Sequence, residues 1–145
     1  MKYVEWDEYT KLLEKLYDDV RMKSFDKIVG IGRGGSFIAA YLSSKMGLRI
    51  FCPMFLRHVG RGAEMDIVVD DLCQCDSLQG RLLVVDDWLC DGRAMNFVLD
   101  RIPRGTTITT LVMYCRRGSD FKPDFVGKFI KEKERDIMFP YDAIG

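Results

Sequence analysis

Strands alternating with helices predict an α/β fold: a mostly parallel open sheet flanked by helices. Two observations carry that expectation. Short apolar runs, IVGI at 28–31, LLVV at 82–85 and TTITTLVMYC at 106–115, alternate with segments of helical composition. Two of the runs also stop in polar loops, GIGRGG and DDWLCDGRA, and a helical segment follows each.

In chain order, WDEYTKLLEKLYDDVRM (6–22) places Leu12, Leu13, Leu16, Tyr17 and Val20 on one helical face, with Asp7 as its expected cap. DKIVGI (26–31) reads as a short buried strand. GRGG follows, then SFIAAYLSSKM, a helix stopped by Gly47. LRIFCPMFL (48–56) is a second strand, with Pro53 interrupting it or marking an edge. Residues 57–80 mix glycines and charges around one apolar run, IVV, and read as a long excursion, a flexible hairpin of the kind that forms lids. RLLVVDD is a third strand, and GRAMNFVLDRI a helix closed by Pro103 and Gly105. TTITTLVMYC and KPDFVGKFI are the fourth and fifth strands, and the apolar DIMFPYDAIG ends the chain.

The 145 residues suit a single domain spanning 1–145. Hydrophobic residues make up 48%, enough for a full core. Lys+Arg and Asp+Glu balance at 22 each, so binding nucleic acid through bulk charge is not expected. No apolar run reaches the roughly 18 residues of a membrane span, and the polar N-terminus is unlike a signal peptide. Five cysteines, an odd number, suggest reduced thiols and a cytoplasmic location. Cys73 and Cys75 form a C-x-C, but no second pair exists and His58 is the sole histidine, so a four-ligand zinc site is not expected.

GIGRGG matches the dinucleotide pattern through Gly30, Gly32 and Gly35. That pattern also needs an acid about 20 residues later, and none occurs from Lys27 to Ala63. Backbone N–H groups bared by glycine at a helix start, with Arg33 beside them, suit a phosphate better. A tight turn with a solvated arginine is the bland reading. Asp86 and Asp87 offer hard oxygens where an open sheet holds its ligands, suiting ribose hydroxyls and Mg²⁺ on a phosphorylated substrate. The bland reading here is one acid capping a helix and one solvated. The motif alone also suits a receiver domain or a nucleoside-phosphate enzyme.

LLVVDDWLCDGRA resembles the signature of type I phosphoribosyltransferases, in which an apolar strand, two acids and a short loop precede Thr-Gly-x-Thr. KIVGIGRGGSFIAAYLSSKMGLRI is similar to their first strand, pyrophosphate loop and helix. YCRRGSDFKPDFVGKFI is similar to a segment of the hypoxanthine-guanine type members and of the related pyrimidine-operon regulator. DIMFPYDAIG resembles the family's carboxyl-terminal base-binding segment, and the whole is most similar to the hypoxanthine-guanine and xanthine-guanine type members. The resemblance covers residues 5–142 with the segments in order.

It implies a Mg²⁺-dependent enzyme of nucleotide salvage. A nucleobase, purine favoured, would displace pyrophosphate from 5-phosphoribosyl-1-pyrophosphate (PRPP). Arg33, Gly34 and Gly35 would hold the pyrophosphate, and Asp86 and Asp87 the ribose and the metal. Cys90, Asp91, Gly92, Arg93 and Ala94 would cradle the 5′-phosphate. Asp91 is also a poor candidate base. Cys115, Arg116, Asp136, Ile137 and Met138 would meet the nucleobase in a pocket completed by the segment from about 124 to 145. The excursion at 57–80 would cover the site. A homo-oligomer, dimer or tetramer, is implied too, with no nucleic acid or membrane partner.

The chain departs from the pattern in places. The two threonines of the phosphate loop fall on Asp91 and Ala94, the lysine that reads a purine oxygen falls on Cys115, and the stacking aromatic falls on Asp136. Arg116 or Arg117 could replace the lysine, and Asp91 could turn outward to cap the helix. These departures keep a second reading open: a non-catalytic regulator of the same fold that binds a nucleotide or PRPP.

Overall fold

A computed structural model describes residues 1–48, 51–59, 66–71 and 79–142, with backbone only for 51–59 and 66–71. The elements are β1 (Lys2–Tyr3), α1 (Trp6–Val20), β2 (Lys27–Ile31), α2 (Gly32–Met46), β3 (Phe51–Val59), β4 (Asp66–Asp71), β5 (Arg81–Leu89), α3 (Arg93–Leu99), β6 (Thr107–Arg116), β7 (Phe125–Ile130) and β8 (Ile137–Met138). Six strands form one sheet in the order β4-β3-β2-β5-β6-β7, parallel except for the antiparallel β3–β4 pair. β1 and β8 form a small parallel pair of their own.

The middle strand shows why the sheet needs helices on both faces. Leu82, Leu83, Val84 and Val85 are all fully buried, with no polar alternation. Leu83 and Val85 face a core built with Leu13, Leu16 and Val20 of α1 and Ile38 and Leu42 of α2. Leu82 and Val84 face the opposite core, with Met95 and Val98 of α3. Full burial of each such side chain contributes about 1.5–3 kcal/mol. In α1 the buried stripe is Tyr9, Leu13, Leu16 and Val20, while Leu12 and Tyr17 pack at its margin.

Several local expectations change. Asp7 does not cap α1: Glu5 is the N-cap, without a side-chain bond, and Asp7 sits in the first turn, where its charge suits the helix dipole. Helix α2 begins at Gly32, so GRGG forms its first turn rather than a preceding loop. Pro53 does not interrupt β3, which runs on to Val59 with Pro53 opposite Gly30. β4 takes in the IVV run and pairs back on β3, as a hairpin arm would. Residues 60–65 and 72–78 of the expected excursion, including Cys73 and Cys75, lie outside the described residues, as do 143–145.

The same geometry opens a crevice. β2 pairs with β3 on one side and β5 on the other, which makes the β2/β5 junction the switch point of the sheet. The β2–β5 pairing ends at Gly30 and Val85, whereas β5–β6 pairing continues to Leu89 and Cys115. Past Val85, β5 therefore loses its β2 neighbour, and the chain leaving β2 turns into α2 above the gap.

Candidate functional site

The site is built where β5 runs on past β2, with β6 still paired on its other side. β5 holds Asp86 and Asp87, as expected, and continues two residues beyond them to Leu89, beside the space past the end of the β2–β5 pairing. A cavity of about 290 Å³ fills that space. Its lining includes Arg33 and Gly34 from α2, Asp86 and Asp87 from β5, Ala94 from α3, and Tyr141 and Asp142 from the C-terminal segment.

Glycine is required where α2 meets these acids. A Cβ on Gly34 would collide with the Asp87 carboxylate and the Tyr141 hydroxyl, and one on Gly35 with the Val85 carbonyl. Removing both side chains lets the first turn of α2 lie directly on the end of β5. The turn thus brings its N-terminal N–H groups and Arg33 to the cavity that holds the acids.

The two acids are adjacent and share few partners among the described residues. Asp86 Oδ1 accepts the Asp87 N–H at 2.8 Å, and Tyr141 Oη–H donates to Asp87 Oδ2. Among the described residues no lysine or arginine forms an ion pair with either carboxylate. Burial raises the Asp86 pKa well above the ordinary carboxylate value, and the adjacent Asp87 raises it further. Burial also raises Asp87, while hydrogen bonds from Tyr141 and Asp86 oppose the rise. The pair behaves as two close like charges, and together they hold a proton more firmly than separate aspartates would.

Asp91 is exposed and its Oδ1 accepts the Arg93 N–H at 3.0 Å, so the side chain caps the turn and does not line the cavity. Gly92 has φ +88°, and a Cβ there would press on Phe121, so glycine is demanded twice over. Of residues 90–94, only Ala94 lines the cavity.

Cys115 and Arg116 line a second cavity of about 250 Å³ at the end of β6. Arg116 is 8% exposed; its Nε–H donates to the Cys90 carbonyl at 2.9 Å and its Nη1–H to the Glu132 carbonyl at 3.2 Å. Arg116 thereby joins the β5–α3 turn to the segment after β7. Asp136 is exposed, and Ile137 and Met138 form β8 against β1; these three line neither cavity.

Sequence reasoning missed Tyr141 and Trp88. Trp88 Nε1–H donates to the Arg135 carbonyl at 3.4 Å, so the C-terminal segment is strapped over β5 at two points. The available signal was the aromatic pair Phe139 and Tyr141 around Pro140. Among the described residues no group of three or more His, Cys, Asp or Glu could hold a metal, and no helix is long and apolar enough to cross a membrane.

No family model matches the chain. It is 25% identical to a xanthine-guanine phosphoribosyltransferase of Idiomarina loihiensis, over 97% of this chain and 86% of that protein. Its fold matches a purine phosphoribosyltransferase from Pyrococcus horikoshii with a TM-score of 0.83 and 19% identity, covering 99% of this chain and 95% of that one. A xanthine-guanine-hypoxanthine phosphoribosyltransferase of Helicobacter pylori matches with a TM-score of 0.72 and 19% identity, over 95% and 90% of the two chains.

Proposed function

We propose that this chain, which has the type I phosphoribosyltransferase fold, joins a purine base to PRPP and releases pyrophosphate. The observation that carries the reading is the pair Asp86–Asp87, without a cationic partner among the described residues, facing the α2 N-terminus and Arg33 across one cavity. The relatives of purine specificity support the choice of base.

In this reading Asp86 and Asp87 accept hydrogen bonds from the ribose hydroxyls. Arg33 and the N–H groups beside Gly34 and Gly35 bind the pyrophosphate, whose charge grows as the glycosidic bond breaks. The turn at 90–94 holds the 5′-phosphate through backbone N–H groups, since Ala94 has no hydroxyl to give. Arg116, fixed by its bonds to the Cys90 and Glu132 carbonyls, would meet the base only through the donors those bonds leave over. Chemistry of this kind rests on positioning two reactants, so rigid donors matter more than a strong base.

Mg²⁺ fits the donor set. Magnesium keeps several waters and takes one or two carboxylates plus substrate oxygens, and this site offers two carboxylates with no third protein ligand among the described residues. Asp86 and Asp87 would hold it, and when bound it would neutralise pyrophosphate charge. A cytoplasmic location and a homo-oligomer belong to the same reading.

The test is pyrophosphate release from PRPP and Mg²⁺ with guanine, xanthine, hypoxanthine, adenine, uracil or orotate. Release is expected with a 6-oxopurine. Nucleotide binding without release for any base would favour the regulator.

A further inference from the structure

We infer that Tyr141 is a positioning residue that sets the Asp87 carboxylate for PRPP and ties that grip to the C-terminal segment. The inference rests on the reading of Asp86 and Asp87 as the ribose and metal grip.

Tyr141 has little freedom. Its ring stacks on Phe37 at 4.5 Å and 8°, and on Phe139 at 5.3 Å and 5°, and meets Tyr9 edge-on at 5.6 Å. The turn that carries it is closed twice: Phe139 N–H donates to Asp142 Oδ2 at 2.7 Å, and Asp142 N–H to the Phe139 carbonyl at 3.0 Å. A ring fixed on both faces delivers its hydroxyl to one place, and that place is Asp87 Oδ2. The phenol can only donate to an ionised carboxylate, so the bond favours Asp87 as a charged acceptor. The Asp87 carboxylate thus lies between the Tyr141 hydroxyl and the bare backbone of Gly34.

Phenylalanine could fill the same aromatic stack. The hydroxyl is the part that packing does not need, and it points at the acid. Tyr141 and Asp87 lie 54 positions apart. Their bond therefore couples the segment beyond β7 to the strand that holds the acids, and a rearrangement of one is felt by the other.

The experiment compares wild type with Tyr141→Phe, titrating Mg²⁺–PRPP by calorimetry without any base. Loss of a hydrogen bond to a charged group should weaken binding about tenfold or more. In turnover, KM for PRPP should rise by more than kcat falls. Phe37→Leu, which loosens the stack but keeps the hydroxyl, should weaken binding less. A purely structural role predicts a lower melting temperature with unchanged PRPP affinity, and that result overturns the inference. If wild type itself fails to bind Mg²⁺–PRPP, the reading of the acid pair falls and takes this inference with it. If wild type binds and Tyr141→Phe binds equally well, the inference alone falls.

Discussion

The two ends of strand β5 treat their acids in opposite ways. At the start, Arg81 holds Asp26 through a side-chain pair at 3.2 Å and a backbone N–H at 2.8 Å. Those bonds from Arg81 lower the Asp26 pKa, so its charged form stabilises the fold. At the far end, burial raises both Asp86 and Asp87, and the neighbouring Asp87 raises Asp86 further, so their charged forms oppose the fold. One acid has its charge matched by an arginine, and the other two have no cationic partner among the described residues. A carboxylate kept buried and unmatched beside a cavity is the electrostatic mark of a site, whereas a matched surface pair marks structure.

Breaking the contrast should have its largest effect at Gly34. Gly34→Ala forces a methyl group into the space of Asp87 and Tyr141. Overpacking of this kind costs about 1–3 kcal/mol. Thermal unfolding should show that loss, and calorimetry should show Mg²⁺–PRPP binding abolished; retained binding would mean that Asp87 is not part of the grip.

Next comes pH. The Asp86–Asp87 pair has raised folded-state values, so its contribution is most favourable below the unfolded value of about 3.9 and declines as pH rises through the folded values. Tyr141 and Asp142 face the pair from the C-terminal segment, and Arg33 from α2. Relative to Asp86→Asn/Asp87→Asn, the wild type should therefore lose stability as pH rises above the ordinary carboxylate value, with Mg²⁺ restoring part of it. Melting curves of both proteins across that range check the sign. For Asp26, with its lowered value, the sign reverses: its contribution is present above the unfolded value and is lost as pH falls through the folded one.

A smaller effect is expected at Asp91. Asp91→Ala removes the bond to the Arg93 N–H and should cost about 1 kcal/mol in unfolding. Asp91→Thr keeps an acceptor and should change PRPP affinity by less than about tenfold, because the side chain lies off the cavity. A large gain in affinity would show that the Asp91 charge reaches the phosphate after all. The smallest effect belongs to the matched end. Arg81→Gln should lower the melting temperature slightly, by an amount that fades in about 1 M salt, and leave PRPP binding unchanged.

The parallel sheet was legible because LLVV and IVGI are buried runs bounded by polar loops. The acids and Arg33 were legible because local order already places them at strand and helix ends. β1 and β8, two residues each, carry no periodic signal, and they form only by meeting across the chain. Tyr141 was hidden for the same reason: its partner is set by tertiary packing, not spacing. Asp91 could be read two ways because one acid beside a helix start either faces a ligand or caps, and only the turn at Gly92 decides.

In the proposed reading the Asp86–Asp87 pair at the end of β5, without a cationic partner among the described residues, grips PRPP. Calorimetric titration of Mg²⁺–PRPP into wild type and Asp86→Asn/Asp87→Asn at pH 7.5 tests it most directly. Losing two charge-assisted contacts should weaken binding by about a hundredfold or more, with the variant folded and at least as stable as wild type. Equal affinity for the two proteins would contradict it.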